Sequence, residues 1–518
     1  VIEDGGENQS CIVSGESGAG KTVACKYLMS YIAVRSSEND PMGPKGGVSV
    51  EETVMACSPF LEAFGNACTP MNDNSSRFGK FLKIYFKDSG AMAGGKMEHY
   101  LLEKARVASQ GENSRNFHIF YFLVMGADAT LRPKLNLEPD VKKYNIIKRT
   151  PVIPTKRETE PNFDRDEFPI VVSSLNVAKV SSETQNEIWI VLASLLHLGN
   201  VKFQERTGIG ARTKKQSGVY FDGSWPIDSD ALQSVRKLLN LKEDGPNGLS
   251  YCLCIKRREL NDGSIDSGVS AAQAEENRDA FVKETYARCF GRLVQNVNDA
   301  LKVAGSEDLD DAGYKSIGIL DIFGFENFKM NSLEQLCINH ANEKLQNLFN
   351  EDVFEKEKTI YQADGLPADS LPPYQDNTPC VRLIEEKKRF VGLIPTLDDL
   401  KDKNNATDES FCSGLLTTFG RIRGEPSKNK KAAGKVKNVE AFFASSRKIY
   451  GRKGAGNKYF VVCHFAGDIK YMVEGFVDKN RDKLPPQFNS MVEESGNEFL
   501  KSLFQPTATA SPSACPPG

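Results

Sequence analysis

Along Phe78–Gly90, "FGKFLKIYFKDSG", apolar and polar residues alternate until the pattern breaks at Asp-Ser-Gly, which predicts a strand entering a hairpin. Ser316–Glu326, "SIGILDIFGFE", is instead a short apolar run that stops at Asp321 and meets Gly324, predicting a buried strand that runs into a turn. The period then changes. Leu333, Leu336, Cys337, Ala341, Leu345, Leu348 and Phe349 follow helical spacing, and Ser332 with Gln335 has the spacing of a capping box, so a long amphipathic helix is predicted over 331–350. Ser49 and Glu52 carry the same signal for a helix in "SVEETVMACSPFLEAFG". "KYFVVCHFAGDIKYMV" predicts two strands about a turn at Gly467-Asp468, and residues from about 110 to 300 read as mainly helical. Ser36–Gly47 is a Gly/Pro-rich surface loop, and 505–518 is a flexible Pro/Ser/Ala/Thr-rich tail. No internal repeat appears. The class is α/β with large helical insertions.

Bulk properties narrow the picture modestly. A chain of 518 residues implies several subdomains, and 40% hydrophobic with 26% charged residues is ordinary for a globular protein. A net charge of −3 gives no global attraction to nucleic acid, so any electrostatic partner site must be local. The longest apolar run, Ile188–Leu198, is too short to span a bilayer and reads as a buried helix. Val1–Asp4 lacks the layout of a signal peptide. The twelve cysteines show neither zinc spacing nor a disulfide framework, and a reducing cytosol is the expected location. His99, His118, His197, His340 and His464 lie far apart and are expected to be packed or surface residues rather than metal ligands.

Candidate chemistry begins at "IVSGESGAGKTVACKYL". Gly15, Gly20, Lys21 and Thr22 meet G-x-x-x-x-G-K-T between an apolar Ile12-Val13 run and a helix-like run. Backbone N–H groups of Gly15, Glu16, Ser17, Gly18, Ala19 and Gly20 can converge on an anion at a helix N-terminus. Lys21 then reaches the β- and γ-phosphates, and the Thr22 hydroxyl takes a Mg²⁺ position. A glycine-rich turn that binds nothing is the alternative, disfavoured by the Lys-Thr register and by both flanks. Because the loop starts at Gly15, at most one short strand precedes it, and the chain reads as cut at its front end. Asn72–Lys80, "NDNSSRFGK", clusters amides and hydroxyls that can bond phosphate oxygens, complete a Mg²⁺ shell and orient a water; alone it is a polar loop before a strand. In Asp321–Glu326, "DIFGFE", the acid ending a strand suits a Walker-B role, and Gly324 lets a backbone N–H approach a γ-phosphate.

Together these segments closely resemble the phosphate loop, switch I and switch II of the myosin motor domain. Kinesin switches read differently. "LEAFGNA", "YLLEKARV", "NFHIFY", "HLGNVKF", "RDAFVKETYARCFGRLV", "NSLEQLCINHANEKLQNLFN" and "HFAGDIKYMVEGFVDKNRD" extend the resemblance over most of 1–504. It implies a P-loop NTPase-type mixed central sheet with large helical insertions, and an actin-based motor that hydrolyses Mg-ATP. Carried onto this chain, Lys21 and the loop amides hold phosphates. Thr22 and Ser76 ligate Mg²⁺, with Asp321 behind them. Asn72 and Ser75 contact phosphates and the attacking water, and the Gly324 N–H senses the γ-phosphate. Arg77 and Glu326 pair, and Glu326 helps orient the water. The helix over 331–350 resembles the relay helix.

For F-actin, the resemblance implies a helix-loop-helix at about 391–419 with Leu393, Ile394 and Asn405. "KKRFVGLIPTL" departs there from the Pro-Gly-Ile-Leu of many relatives. Lys428, Lys430, Lys431, Lys435 and Lys437 form a basic loop that suits an acidic partner or is simply solvated. Ser264, in "NDGSIDSG", falls near a position that is regulatory in many relatives; an unmodified surface loop is the plainer reading. A light chain or calmodulin is expected only on a lever arm that this chain lacks, and the expected location is the cytoplasm and the actin cytoskeleton. The competing readings are an actin-binding protein of the same fold without turnover and a non-motor P-loop NTPase such as a small-molecule kinase.

Overall fold

The computed structural model describes residues 7–38, 50–148, 160, 162–206, 223–227, 229–242, 245–260, 263–302, 313–367, 374–400, 403, 406–419, 443–444, 458–481 and 483–505. These fall into two compact units: the first within Val1–Val13, Gly20–Ile322 and Lys483–Gly518, the second within Ser14–Ala19 and Phe323–Asp482.

The first unit is organised on a mixed four-stranded sheet. Its order is Gln9–Val13, Lys315–Asp321, Gly79–Phe86, Met92–Tyr100. The first pair is parallel and sets Val13 opposite Asp321, and the next is antiparallel and sets Asp321 opposite Lys80. The alternation in Gly79–Phe86 has its expected result. Leu82, Ile84 and Phe86 are buried in the main core, while Tyr85 is buried on the other side against Ala93 and Tyr314. The hairpin turn closes through Gly90 N–H to Lys87 O at 2.8 Å, with Gly90 at φ 85°.

Helices Val50–Gly65 and Ala271–Leu301 carry much of the apolar mass. Tyr286 stacks on Phe64, Phe117 and Phe120 with centroids 6.4, 4.9 and 5.2 Å away, and its hydroxyl donates to Phe64 O at 2.7 Å, so no polar atom of that ring is stranded. Val50 opens its helix where expected, although Ser49 lies outside the described residues. The apolar run at 188–198 lies in the buried helix Ser182–Leu198, as predicted. Two hairpins interrupt the region read as helical: Phe203–Arg206 with Gly223–Pro226, and Ile255–Leu260 with Gly263–Gly268. "FQER" and "GSWP" are too short to show any period.

The second unit holds helix Leu333–Asn350, which continues through a wider π turn at Glu351–Glu355 into Lys356–Ala363. Gln335 Oε1 accepts the Ser332 N–H at 3.0 Å, the capping contact predicted from their spacing. The amphipathic reading of this helix needs correction. Leu348 and Phe349 are 48% and 53% exposed, while Gln335, Asn339, Asn342, Glu343 and Asn350 are buried beside Leu336 and Ile338. Strands Tyr459–His464 and Gly467–Met472 form the second predicted hairpin, but its turn is Phe465-Ala466, because His464 pairs with Gly467 and Cys463 with Asp468. Gly467, at φ 136°, therefore serves inside a strand end rather than at the turn centre. Phe460, Tyr471 and Phe476 pack with Phe411 in the core of this unit.

Candidate functional site

In the first unit, the parallel pairing brings the end of Gln9–Val13 beside the end of Lys315–Asp321. Helix Lys21–Glu38 follows, its first turn closed by Ala24 N–H to Gly20 O at 2.9 Å. The Thr22 hydroxyl donates to Asp321 Oδ2 at 3.0 Å, and Lys80 Nζ lies 3.1 Å from the same oxygen. Asp321 is 3% exposed, so Lys80 supplies the positive charge that such a buried carboxylate needs. Sequence reasoning gave Lys80 no role. Thr22, Ser76, Lys80 and Asp321 line one cavity. Cys25 also borders it; burial first, then the Asp321 carboxylate, push its thiol to about 11 against an opposing pull from Lys80, so it stays a neutral thiol.

The segment after Asn72 is held by a different asparagine from the one singled out above. Asn72 Oδ1 accepts the Asn74 N–H at 3.0 Å, a local turn. The Asn74 amide donates to Glu62 at 3.0 Å and accepts from Asn66 at 3.1 Å, and Glu62 also pairs with Lys26 at 3.1 Å. Ser75 and Ser76 lie on a short ladder opposite Ala67 and Asn66. Arg77 is fully buried; its Nε donates to Glu103 at 2.6 Å and its Nη1 to Ser75 Oγ at 3.2 Å. Arg106 Nε donates to the same Glu103 oxygen at 2.8 Å. Burial alone would raise the Glu103 carboxyl, but Arg106 and Arg77 outweigh it and hold the group down at about 2. Glu103 and Arg106 lie in "YLLEKARV", where three charged residues, Glu103, Lys104 and Arg106, within an otherwise apolar segment were the available signal.

The second unit contains the remaining loop residues. Gly15 and Gly18 adopt φ of 148° and 85°, which side chains resist, and Ala19 N–H closes a turn on Glu16 O at 3.2 Å. Glu16 forms a parallel bridge with Phe325. A Cβ on Gly324 would fall 2.3 Å from Ser17 N and 2.5 Å from the Glu16 carbonyl carbon, so the loop backbone occupies the space of a side chain. Glu326 is 1% exposed. Its N–H donates to Asn339 Oδ1 at 2.9 Å, its carbonyl accepts from Asn339 Nδ2 at 2.8 Å, and its carboxylate accepts from Gln335 at 3.3 Å. Asn342 Nδ2 donates to Phe323 O at 3.2 Å. Gln335, Asn339 and Asn342 of the helix's buried polar face are thus spent on the segment that ends in Glu326.

Within 391–419, Leu393–Asp398 and Asp408–Thr418 are helices. Thr407 Oγ1 accepts from Ser410 N at 3.2 Å, and Asp408 accepts from Gly475 N and Val477 N at 2.7 and 3.0 Å, fixing the turn. Leu393 is fully buried in this unit's core and Ile394 packs partly against it. Leu393 thus corrects the expectation of a surface contact: the apolar pair anchors the element inward. Asn405, Lys428, Lys430, Lys431, Lys435 and Lys437 lie outside the described residues, as does the Ser264 side chain.

The profile of the myosin head (motor domain) family matches residues 1–515. Myosin-4 of Saccharomyces cerevisiae is 34% identical over 501 residues, which are 96% of this chain and 30% of that protein. Two Dictyostelium discoideum proteins, myosin-I heavy chain and myosin IE heavy chain, are each 34% identical over 507 residues; the match spans 19% and 46% of their lengths. The chain therefore covers less than half the length of these relatives.

Proposed function

The chain belongs to the myosin motor-domain family, and from that premise we propose that it is the nucleotide-hydrolysing part of an actin-based motor. The observation that carries the reading is the Thr22–Asp321 hydrogen bond of 3.0 Å, made where the strand before the phosphate loop pairs with the strand ending in Asp321. Hydroxyl and carboxylate oxygens are hard donors that suit Mg²⁺, so Thr22 and Ser76 would hold the ion with Asp321 behind them. When bound, it would neutralise charge building on the phosphate oxygens.

The residues have separate tasks. Lys21 and the N–H groups of Gly15–Gly20 bind and orient the β- and γ-phosphates of ATP. Asn72 and Ser75 place phosphate oxygens and the attacking water. Gly324, pressed on the loop backbone, reports the γ-phosphate through its N–H. Glu326 orients the water and pairs with Arg77 when the switches close. Catalysis here is mainly positioning and charge stabilisation. Loss of the γ-phosphate removes contacts from the Gly324–Glu326 segment, and Asn339 and Asn342 transmit that loss to helix Leu333–Asn350. F-actin then engages the 391–419 element and the lysine loop. Among the described residues no helix is long and apolar enough to cross a membrane, and an actin-cytoskeletal site of action follows from this reading.

Nucleotide titration of the full-length protein tests the assignment. Lys21→Ala is expected to abolish ATP binding. Unchanged affinity would overturn the phosphate-site reading. Tight ATP and actin binding with no hydrolysis would instead favour an actin-binding protein without turnover.

A further inference from the structure

We infer that Glu343, His464 and Tyr471 form a hydrogen-bonded relay that holds Asn339 on the backbone of Glu326, and that they are therefore positioning residues for hydrolysis. The inference rests on the reading of Gly324–Glu326 given above. All members lie in the second unit, and the side chains of Glu343 and His464 are fully buried.

Proton positions follow from accounting. Asn339 faces the Glu326 N–H with one atom and the Glu326 carbonyl with the other, so its Oδ1 and Nδ2 are fixed. Nδ2 also donates to Tyr471 OH at 2.9 Å. Burial keeps the Tyr471 phenol protonated, and its one hydrogen is directed at His464 Nε2, 2.9 Å away. Nε2 must then accept, which places the ring proton on Nδ1, where it donates to Glu343 Oε2 at 2.8 Å. Glu343 is held in turn by Asn377 Nδ2 at 2.8 Å and Phe465 N at 3.3 Å. The polarity runs one way, from the Asn339 amide through phenol and imidazole to a carboxylate. Each bond orients the next, and the chain joins helix Leu333–Asn350 to both hairpin strands.

The same corner has another chemical reading. Ligand atoms of Glu343, Cys380 and His464 lie within 4.8 Å of one another, a donor set that zinc accepts. Here the Nδ1 lone pair is used by a proton, and burial together with the Glu343 carboxylate pushes the Cys380 thiol far above its ordinary range. The cluster is wired as hydrogen bonds.

Tyr471→Phe removes one hydroxyl and keeps the ring stacked on Phe460. In the full-length protein it is expected to leave ATP affinity nearly unchanged, while slowing single-turnover hydrolysis roughly five- to thirtyfold, as expected for one or two lost hydrogen bonds. Combined with Asn339→Ala, it should add nothing beyond Asn339→Ala alone. An unchanged hydrolysis rate, or fully additive effects, would overturn the relay. Stoichiometric zinc in the purified protein, with hydrolysis lost on chelation, would overturn it in favour of a metal site. Glu326→Ala separates the two levels. If that variant hydrolyses normally, the parent reading fails; if it is inactive while Tyr471→Phe is normal, only the relay fails.

Discussion

The two units hold the polar groups of the candidate site in contrasting ways. In the first, the groups gathered at Glu103 and Asp321 are charged: Arg77 and Arg106 share Glu103, and Lys80 neutralises Asp321. In the second, the groups around Glu326 are mostly neutral amides, a phenol and an imidazole, ending on the single carboxylate of Glu343. The energetics differ accordingly. A buried ion pair broken from one side leaves an uncompensated charge, whereas a neutral hydrogen bond is worth about 1 kcal/mol and can be exchanged for another. A frame that must stay in one arrangement suits the first solution. A segment that changes partners with nucleotide state, as proposed for Gly324–Glu326, suits the second.

The largest expected effect falls on the charged frame. Glu103→Ala leaves two guanidinium groups without their shared carboxylate and should cost roughly 3–5 kcal/mol in denaturant unfolding. A loss near zero would erase the contrast. The same carboxylate supplies a pH signature. Its native value, about 2, lies below the ordinary 4.5, so its contribution is complete above about pH 4.5 and is lost as pH falls toward 2. Unfolding curves of wild type and Glu103→Gln should therefore converge over that window. Convergence on raising pH instead would have the wrong sign.

A smaller effect is expected at the Gly324 approach. Gly324→Ala drives a methyl group into the Ser17 and Glu16 backbone, an overlap that costs roughly 1–3 kcal/mol if the structure yields. Because the overlap falls on the phosphate loop, weakened ATP affinity is the sharper readout. A variant that binds ATP normally would show that the loop and Gly324 need not touch.

Legibility followed the same division. The strand before Gly15, the helix from Lys21 and the strand ending in Asp321 were readable because each is a contiguous run whose order and spacing fix local structure. The Gln335 cap was readable for the same reason. Glu103 escaped notice as a partner because it lies 26 residues from Arg77 and nothing local links them. The inward face of Leu333–Asn350 was hidden more deeply. A hydrophobic period cannot reveal Asn339, Asn342 and Glu343 as buried, since each is matched inside by polar groups distant in sequence. Gly467 misled for another reason: glycine favours turns, but here its positive φ opens a strand.

The proposed function couples ATP hydrolysis by the full-length protein to an actin partner. Steady-state ATP turnover by the full-length protein, measured with and without F-actin in the presence of Mg²⁺, tests it most directly. The account predicts slow turnover alone, a marked rise with actin, and loss of both rates in Lys21→Ala. Turnover that actin leaves unchanged, or that survives in Lys21→Ala, would contradict it.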